Sequence, residues 1–442
     1  MIVMKFGGRS LASEQRMREV VSIIKAHLHE NPIIVLSAIG KTTDNLLNAG
    51  KRALMEEVDG EDIIHFHQEI ITQLGINSSE TNLLFQELQK VLKGISMLRE
   101  LSPKTMDYLA SFGERLSVRI FSEYLKQQGI HAKYFDAWDL GLRSTSTFTD
   151  AEVLPESYDA IASSLQEVLS SYPYTPIITG FLSKEKNGYI TTLGRGGSDL
   201  TASVIGAAIG AKEIQVWKDV DGLLTTDPLI VPNAIPVSTL SLEEASELAY
   251  FGAKILHPRS IIPATQKNIP VRIKNSYNAM HEGTLIMKHV SPPSLVRAIT
   301  LKRDITLIDI VSTRMLGQFG FLAQVFRMFE KYGISVDMVA TSEVSISVTL
   351  DNNEGFDELV KELEKFSIVQ IKTEKTIISI IGNIQKSSQI LGMACQKLAE
   401  ENINVQMISQ GASKVNIGFI VDNKEADVCV KTLHNLFFEV NA

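Results

Sequence analysis

Lys5, Gly7 and Gly8 fall in the stretch KFGGRS (5–10), directly behind the apolar run Met1-Ile2-Val3-Met4. A cation beside bare backbone suits an anion, because glycine lets the main chain approach closely and lysine supplies the countercharge. Phosphate is the first anion to test. The P-loop pattern GxxxxGK[ST] is absent, however, and a Gly-Gly pair behind a strand is also an ordinary turn. A second set lies in TTLGRGGSDLTAS (191–203). There Gly194, Gly196 and Gly197 surround Arg195, and Ser198 and Asp199 open a helical pattern. A guanidinium fork grips carboxylate or phosphate, and a helix N-terminus offers unpaired N–H groups and a favourable dipole. Ser198 or Asp199 as a plain N-cap is the reading that needs no ligand. Three glycines around one arginine exceed what a cap requires.

These groups need strand ends and helix starts to hold them, and the chain supplies both. Ile2 to Phe6 reads as a strand, and Met17, Val20, Val21, Ile24 and Leu28 fall on one helical face. IIVLSA (33–38), PIITGFL (176–182) and EIQVWKD (213–219) read as buried strands. Helices are expected from near Thr43, over 199–209 and throughout 61–101. This alternation predicts an α/β unit with a mostly parallel sheet between helices. KHVSPPS (288–294) marks a boundary, so residues 1–290 and 291–442 are expected to be separate domains. Beyond it a βαββαβ pattern of about 70 residues occurs twice. The second copy lacks its last strand, and SLVRAIT (294–300) is a strand left over. The simplest repair lets 294–300 complete the copy at 375–442, with the first copy, about 303–373, inserted within it.

At 442 residues, 44% hydrophobic and 21% charged, the chain has room for two or three well-packed domains. A net charge of −8, from 43 Lys+Arg against 51 Asp+Glu, weighs against nucleic-acid binding. Cys395 and Cys429 match no metal spacing, and two thiols in so long a chain point to a reducing compartment. The stretch MIVMKFGGRS lacks a basic n-region followed by a long apolar h-region, so a signal peptide is not expected there, and no apolar run is long enough to span a membrane. The expectation is a cytoplasmic protein with neither nucleic acid nor membrane as partner.

KFGGRS, LSAIGKTTDNL (36–46), SFGERLS (111–117), TTLGRGGSD (191–199), DVDGLLTTDP (219–228) and FGAKILHP (251–258) occur in that order. Together they strongly resemble the aspartate kinases, over nearly the whole chain. The resemblance implies the amino-acid kinase fold followed by two interleaved ACT modules. It also implies transfer of phosphate from ATP, with Mg²⁺, to the side-chain carboxylate of L-aspartate. That is the first step toward lysine, threonine, methionine and diaminopimelate. By the same resemblance Lys5 and Lys254 contact nucleotide phosphates and Asp199 organises the reacting groups. Arg195 grips the substrate α-carboxylate and Glu114 pairs with its ammonium. Ser37, Thr43, Phe181 and Ser198 line the substrate pocket. Gly7, Gly8, Lys218 and Asp219 belong to the nucleotide side. No metal site made by protein alone is expected, since Mg²⁺ prefers ATP oxygens and few protein ligands. A substrate carboxylate is ionised at pH 7, so no general base is required.

The chain departs from the family pattern at four places. Arg9 replaces a small residue, and Lys218 stands where Trp-Thr-Asp is usual. Leu224 replaces an aromatic that borders the base, and Leu229 an arginine that helps with phosphates. Arg9 or Lys218 is the expected compensation. MLGQFGFLAQVF (315–326) and SVDMVATSEVS (335–345) resemble the effector edge of lysine-sensitive aspartate kinases. Met315, Phe321, Leu322, Val336, Asp337, Ser342 and Glu343 match it, while Gln318 replaces a serine. Asp337 and Glu343 would take the effector's ammonium groups. Phe321 and Leu322 as plain helix core is the competing reading. Open sheet edges in the two modules predict a homodimer, or a tetramer built from it. The expected enzyme is monofunctional and lysine-inhibited. The alternatives are a catalytically weak amino-acid sensor and a kinase of another acidic substrate.

Overall fold

The structure is a computed structural model that describes residues 1–77, 79–171, 174–252, 256–288, 290, 295–312, 320–350, 355–411 and 415–439. The chain forms two compact units. The first is Met1–Leu223, Ser238–Leu242 and Ile255–Val290; the second is Leu224–Val237, Glu243–Lys254 and Ser291–Ala442.

In the first unit the strands are β1 (Ile2–Phe6), β2 (Pro32–Leu36), β3 (Ala132–Phe135), β4 (Thr175–Thr179), β5 (Leu182–Lys184), β6 (Ile190–Thr192), β7 (Ile214–Lys218), β8 (Thr239–Ser241), β9 (Val271–Asn275) and β10 (Thr284–Met287). Its helices are α1 (Glu14–His27), α2 (Thr42–Ala53), α3 (Glu61–Leu74), α4 (Ser79–Leu98), α5 (Pro103–Gln127), α6 (Glu156–Ser171) and α7 (Gly197–Ile209). Then come α8 (Leu242–Tyr250), whose body belongs to the second unit, and α9 (Pro258–Gln266). The main sheet runs β3-β4-β2-β1-β7-β9-β10-β8, parallel throughout except between β9 and β10. All five residues of β1 and of β2 are buried. Helices cover both faces, so the strands read as continuous apolar runs rather than alternating ones. Parallel strands deliver their carboxyl ends to one edge, and there stand Lys5, Ser37, Phe181 and Lys218.

Residues 61–101 are a buttress. Ile63, Ile64 and Ile70 of α3 and Leu84, Phe85, Leu88 and Leu92 of α4 share one core with Leu46 of α2 and Leu109, Phe112 and Leu116 of α5. That packing fixes the two helices that carry Thr43 and Glu114. His67 is buried within it, and burial lowers its ring to about 4, so it packs as a neutral group.

The second unit adds β11 (Val296–Val311), α10 (Phe321–Lys331), β12 (Val339–Thr341), β13 (Ser345–Leu350), α11 (Phe356–Leu363), β14 (Ile368–Gly382), α12 (Ser387–Glu400), β15 (Met407–Gln410), β16 (Asn416–Asp422) and α13 (Ala426–His434). Its sheet runs β12-β13-β11-β14-β16-β15. The early part of β11 pairs with the late part of β14, Val296 against Gly382 and Thr300 against Ser379. The late part of β11 pairs with the early part of β14, Val311 against Ile368. The sequence pattern set the strand at 294–300 apart from the copy at about 303–373, and ended that copy before the one at 375–442; in the structure β11 and β14 each run across one of these joints. The charged joints pass through left-handed residues, Asp304 at φ 58° and Glu374 at φ 55°, and the register of β11 against β14 shifts between Lys302 and Ile305.

Candidate active site

A cleft of about 280 Å³ lies at the carboxyl edge of the main sheet, lined by Lys5, Gly8, Ser37, Thr43, Glu114, Phe181, Ser198 and Asp199 with neighbouring backbone. Residues 194 positions apart in sequence meet there because β1 and β2 end beside α7. Gly8 has a backbone reason to be glycine: a Cβ would stand 2.7 Å from the Gly40 oxygen and 2.8 Å from the Ala38 oxygen. Gly7 plays a different part from the expected one. Its N–H donates to the Trp217 carbonyl at 3.2 Å, so it closes the sheet and Gly8 is the glycine that faces the cleft.

Helix α7 begins at Gly197, and its N-cap is Gly196 at φ 72°, with no side-chain cap. Ser198 and Asp199 therefore sit inside the first turn, which sets aside the N-cap reading. A glycine cap leaves the first N–H groups of α7 without a side-chain acceptor, beside the cleft. Asp199 is buried between two ammonium groups: Lys5 Nζ stands 2.7 Å from Oδ1, and Lys218 Nζ donates to Oδ2 at 3.0 Å. Burial would raise the Asp199 carboxyl, but the two lysines overcome it and hold it at about 2. Lys5 is itself lowered, first by burial and further by Lys218, against the pull of Asp199.

Glu114 projects from α5 into the same cleft and is buried. Oε1 accepts the Ala38 N–H at 3.0 Å, and Oε2 has no partner. Burial raises this carboxyl to about 8, opposed in part by the Ala38 N–H and the Lys5 charge. A buried carboxylate with one open oxygen is a ready partner for a cationic ligand. Two turns earlier on α5, Asp107 accepts the Thr149 N–H (2.9 Å), the Thr192 N–H (3.0 Å) and the Thr192 hydroxyl (2.7 Å). It ties α5 to β6 just ahead of the RGGSD loop. Its spacing of seven residues from Glu114, one helical face, was the available signal. The Ala38 amide, being backbone, leaves no such trace.

Phe181 takes a left-handed φ of 66°, held by Thr201 Oγ1 on its N–H (3.0 Å) and the Leu193 N–H on its carbonyl (2.9 Å). Arg195 is exposed and outside the lining of the cleft; its charge and that of Arg259 help burial keep the His257 ring below its usual range. Arg9 reaches Asp219 at 2.5 Å on the surface. Lys254 lies outside the described residues, as do Met315 and Gln318. Leu229 is 91% exposed, and Leu224 bridges to Pro236.

In the second unit, Phe321 is buried in its module's core against Phe366, whereas Leu322 is exposed. Val336 packs partly on that core. The Asp337 carboxylate is 1% exposed and already engaged: Lys302 Nζ donates to it at 2.8 Å and the Tyr250 hydroxyl at 2.6 Å. Neither partner was foreseen. Ser342 accepts the N–H groups of Val344 and Ser345 in a tight turn, and Glu343 is exposed. The uncapped start of α10 follows Gly320 at φ 87°.

Among the described residues no group of three or more His, Cys, Asp or Glu side chains is placed to hold a metal ion, and no helix is long and apolar enough to cross a membrane. Two stretches of the chain match known families. Residues 1–275 match the amino acid kinase family, and residues 308–358 with 378–437 match the ACT domain. The fold and the cleft that joins Lys5, Glu114 and Asp199 thus define an amino acid kinase with regulatory modules. Aspartokinase 1, chloroplastic, of Arabidopsis thaliana is 52% identical over 455 residues, spanning 99% of this chain and 80% of that protein. Two solved structures of Escherichia coli aspartokinase III superpose over 99% of this chain. The complex with aspartate and ADP is matched over 100% of its length, at TM-score 0.79 and 33% identity; the complex with lysine and aspartate over 99%, at 0.77 and 32%. The chain belongs to the aspartokinase family.

Proposed function

We propose that the chain transfers the γ-phosphoryl group of ATP to the side-chain carboxylate of L-aspartate, giving 4-phospho-L-aspartate and ADP. The observation that carries this reading is the pairing of an open, buried Glu114 oxygen with an Asp199 flanked by two ammonium groups in one cleft. Glu114 takes the substrate ammonium, and Arg195 at the rim takes the α-carboxylate. Ser37, Thr43, Phe181 and Ser198 shape the pocket. The side-chain carboxylate then faces Lys5, Gly8 and the start of α7. Its oxygen forms a bond to the γ-phosphorus while the bond to the β-phosphate oxygen breaks, and no proton moves. An anion attacking a polyanion needs cationic cover and positioning, which Lys5 and α7 provide, with Lys254 by family resemblance. Gly8 with Lys218 and Asp219 completes the nucleotide side. Mg²⁺ bound to the ATP phosphates would supply further neutralisation of the transferring group, beside the cover from Lys5 and α7.

The division of labour follows residues 1–290 for catalysis and 291–442 for regulation. L-lysine is the proposed effector, bound by Asp337 and Glu343 beside α10. Apolar side chains exposed on β12, β14 and β15, among them Val339, Ile368, Ile371 and Ile408, suit a homodimer through the regulatory sheets. A cytoplasmic location fits the two free thiols; a chloroplast, as in the relative's name, meets the same chemical condition.

The test is trapping with hydroxylamine. Purified protein, MgATP and L-aspartate should yield aspartyl hydroxamate, L-glutamate should not, and L-lysine should suppress the product. Lysine-indifferent product would remove the effector assignment and keep the kinase. Strong lysine binding without product would favour the sensor.

A further inference from the structure

Lys5 and Lys218 reach Asp199 from neighbouring strands for a reason of register. In β1 and β7, Lys5 pairs with Val216 and Phe6 with Trp217. Paired residues share a face and alternate residues return to it, so Lys218, two beyond Val216, emerges on the face of Lys5. Phe6 and Trp217 occupy the other face, fully buried, with ring centroids 5.9 Å apart and planes within 18°. That stack fixes the register. The Ser276 N–H holds the Lys218 carbonyl at 2.8 Å, pinning the strand end. The third partner, Asp199, is set by the first turn of α7.

We propose that Lys218 is a positioning residue of the phosphoryl-transfer centre: it shares the Asp199 carboxylate with Lys5, so that it adds a cation to that of Lys5 over the reacting anions. The inference rests on the aspartate kinase reading of the same cleft. The threonine usual at this place is too short to reach Asp199 from the strand end. With it the cluster of Lys5 and Asp199 is neutral; with Lys218 it carries one net positive charge. The Lys218 side chain is 21% exposed, but the Asp199 carboxylate and Lys5 that it acts on are buried, so part of its path to them is of low dielectric. Arg9, the other departure nearby, is spent on Asp219 at the surface, with its side chain 78% exposed. Of the two, Lys218 is therefore the one placed to act at the centre. Lys218 also acts on Lys5 itself. Among the described residues the charged groups that act on Lys5 are Asp199 from α7, Lys218 from β7 and Glu114 from α5, and of these Lys218 is the cation. Its removal lets Lys5 hold its proton to higher pH.

The experiment compares wild type, Lys218→Thr and Lys218→Arg by kcat against pH at saturating aspartate and MgATP, with KM for both substrates and thermal melting. Lys218→Thr should lower kcat roughly 10- to 100-fold. Its KM for aspartate should stay within about twofold, and the basic limb of its kcat profile should move to higher pH. Lys218→Arg keeps the charge and should stay within about threefold of wild type. A raised KM for ATP with unchanged kcat and profile would make Lys218 a nucleotide contact only and overturn the proposal. Equal loss in both variants with a lowered melting temperature would make its role structural and overturn it too. Wild-type protein that forms no hydroxamate would instead remove the underlying reading, an outcome visible before any variant is made.

Discussion

Aspartate binding should tighten as pH rises, because Glu114 is largely protonated in the empty cleft. Burial holds its carboxyl near 8, and only the ionised form pairs with an ammonium group. At pH 7 about one molecule in ten carries the charge, and at pH 8.5 about three in four. If aspartate selects the ionised form, its apparent dissociation constant falls about eightfold between those values. The perturbation is Glu114→Gln, which keeps the shape and the Ala38 contact while removing the charge. Losing a charge-assisted hydrogen bond should raise KM for aspartate about 10- to 100-fold and flatten its pH dependence. Stability gives an independent sign. The folded carboxyl is raised above its usual 4.5, so between about 4.5 and 8 the folded state holds a proton that the unfolded state has lost, and wild-type stability falls as pH rises through that window. Glu114→Gln removes this penalty, so without ligand it should melt above wild type at pH 8.5 and close to it at pH 4.5. Hydroxamate kinetics at pH 7 and 8.5, with melting at pH 4.5 and 8.5, measure both effects. A wild-type KM for aspartate that does not change with pH, or a Gln variant no more stable at pH 8.5, would refute the reasoning.

Asp199→Asn leaves two ammonium groups facing each other, so it should lower kcat at least about 100-fold and cost roughly 3–5 kcal/mol in denaturant unfolding. In the wild type, the stabilisation from the depressed Asp199 carboxyl is present above about 4 and is lost as pH falls through about 2, which acid titration of the fold can follow. Gly8→Ala pushes a methyl group against the Gly40 and Ala38 oxygens, and kcat should fall at least about tenfold through loss of positioning, read from initial rates beside an intact circular dichroism spectrum. Leu229→Arg should leave KM for ATP nearly unchanged if Lys218 compensates for the usual arginine; a large drop counts against that compensation. Tyr250→Phe removes one partner of Asp337 and should lower the half-inhibitory lysine concentration a few-fold, whereas Asp337→Asn should abolish inhibition.

Strand and helix alternation made the parallel sheet legible, because β1, β2, β4 and β7 are apolar runs between amphipathic helices. The convergence of Lys5, Ser37, Thr43, Glu114, Phe181, Ser198 and Asp199 was legible only through the ordered set of stretches resembling a family; no spacing rule links positions so far apart. What escaped was set by tertiary geometry. The Gly7 amide is claimed by Trp217 because β7 lies beside β1, which no local pattern encodes. Charged residues at 302–304 and 374–375 looked like strand ends, yet left-handed Asp304 and Glu374 carry the chain through. The occupation of Asp337 by Lys302 and Tyr250 joins β11 and α8 to the loop ahead of β12, a contact invisible to periodicity. The Asp199–Lys218 pair depends on the same adjacency: once β7 lies beside β1, Lys5 pairs with Val216 and Lys218, two residues on, returns to the face of Lys5.

The central claim is that the aspartate side-chain carboxylate is itself the nucleophile. The most direct measurement uses L-aspartate labelled with ¹⁸O in that carboxylate, with MgATP and hydroxylamine, followed by mass analysis of the released phosphate. The oxygen bonded to phosphorus stays with phosphate when hydroxylamine attacks the acyl carbon. Phosphate carrying one ¹⁸O atom per hydroxamate formed is the predicted result. Unlabelled phosphate, or phosphate released at the same rate without aspartate, would contradict the account.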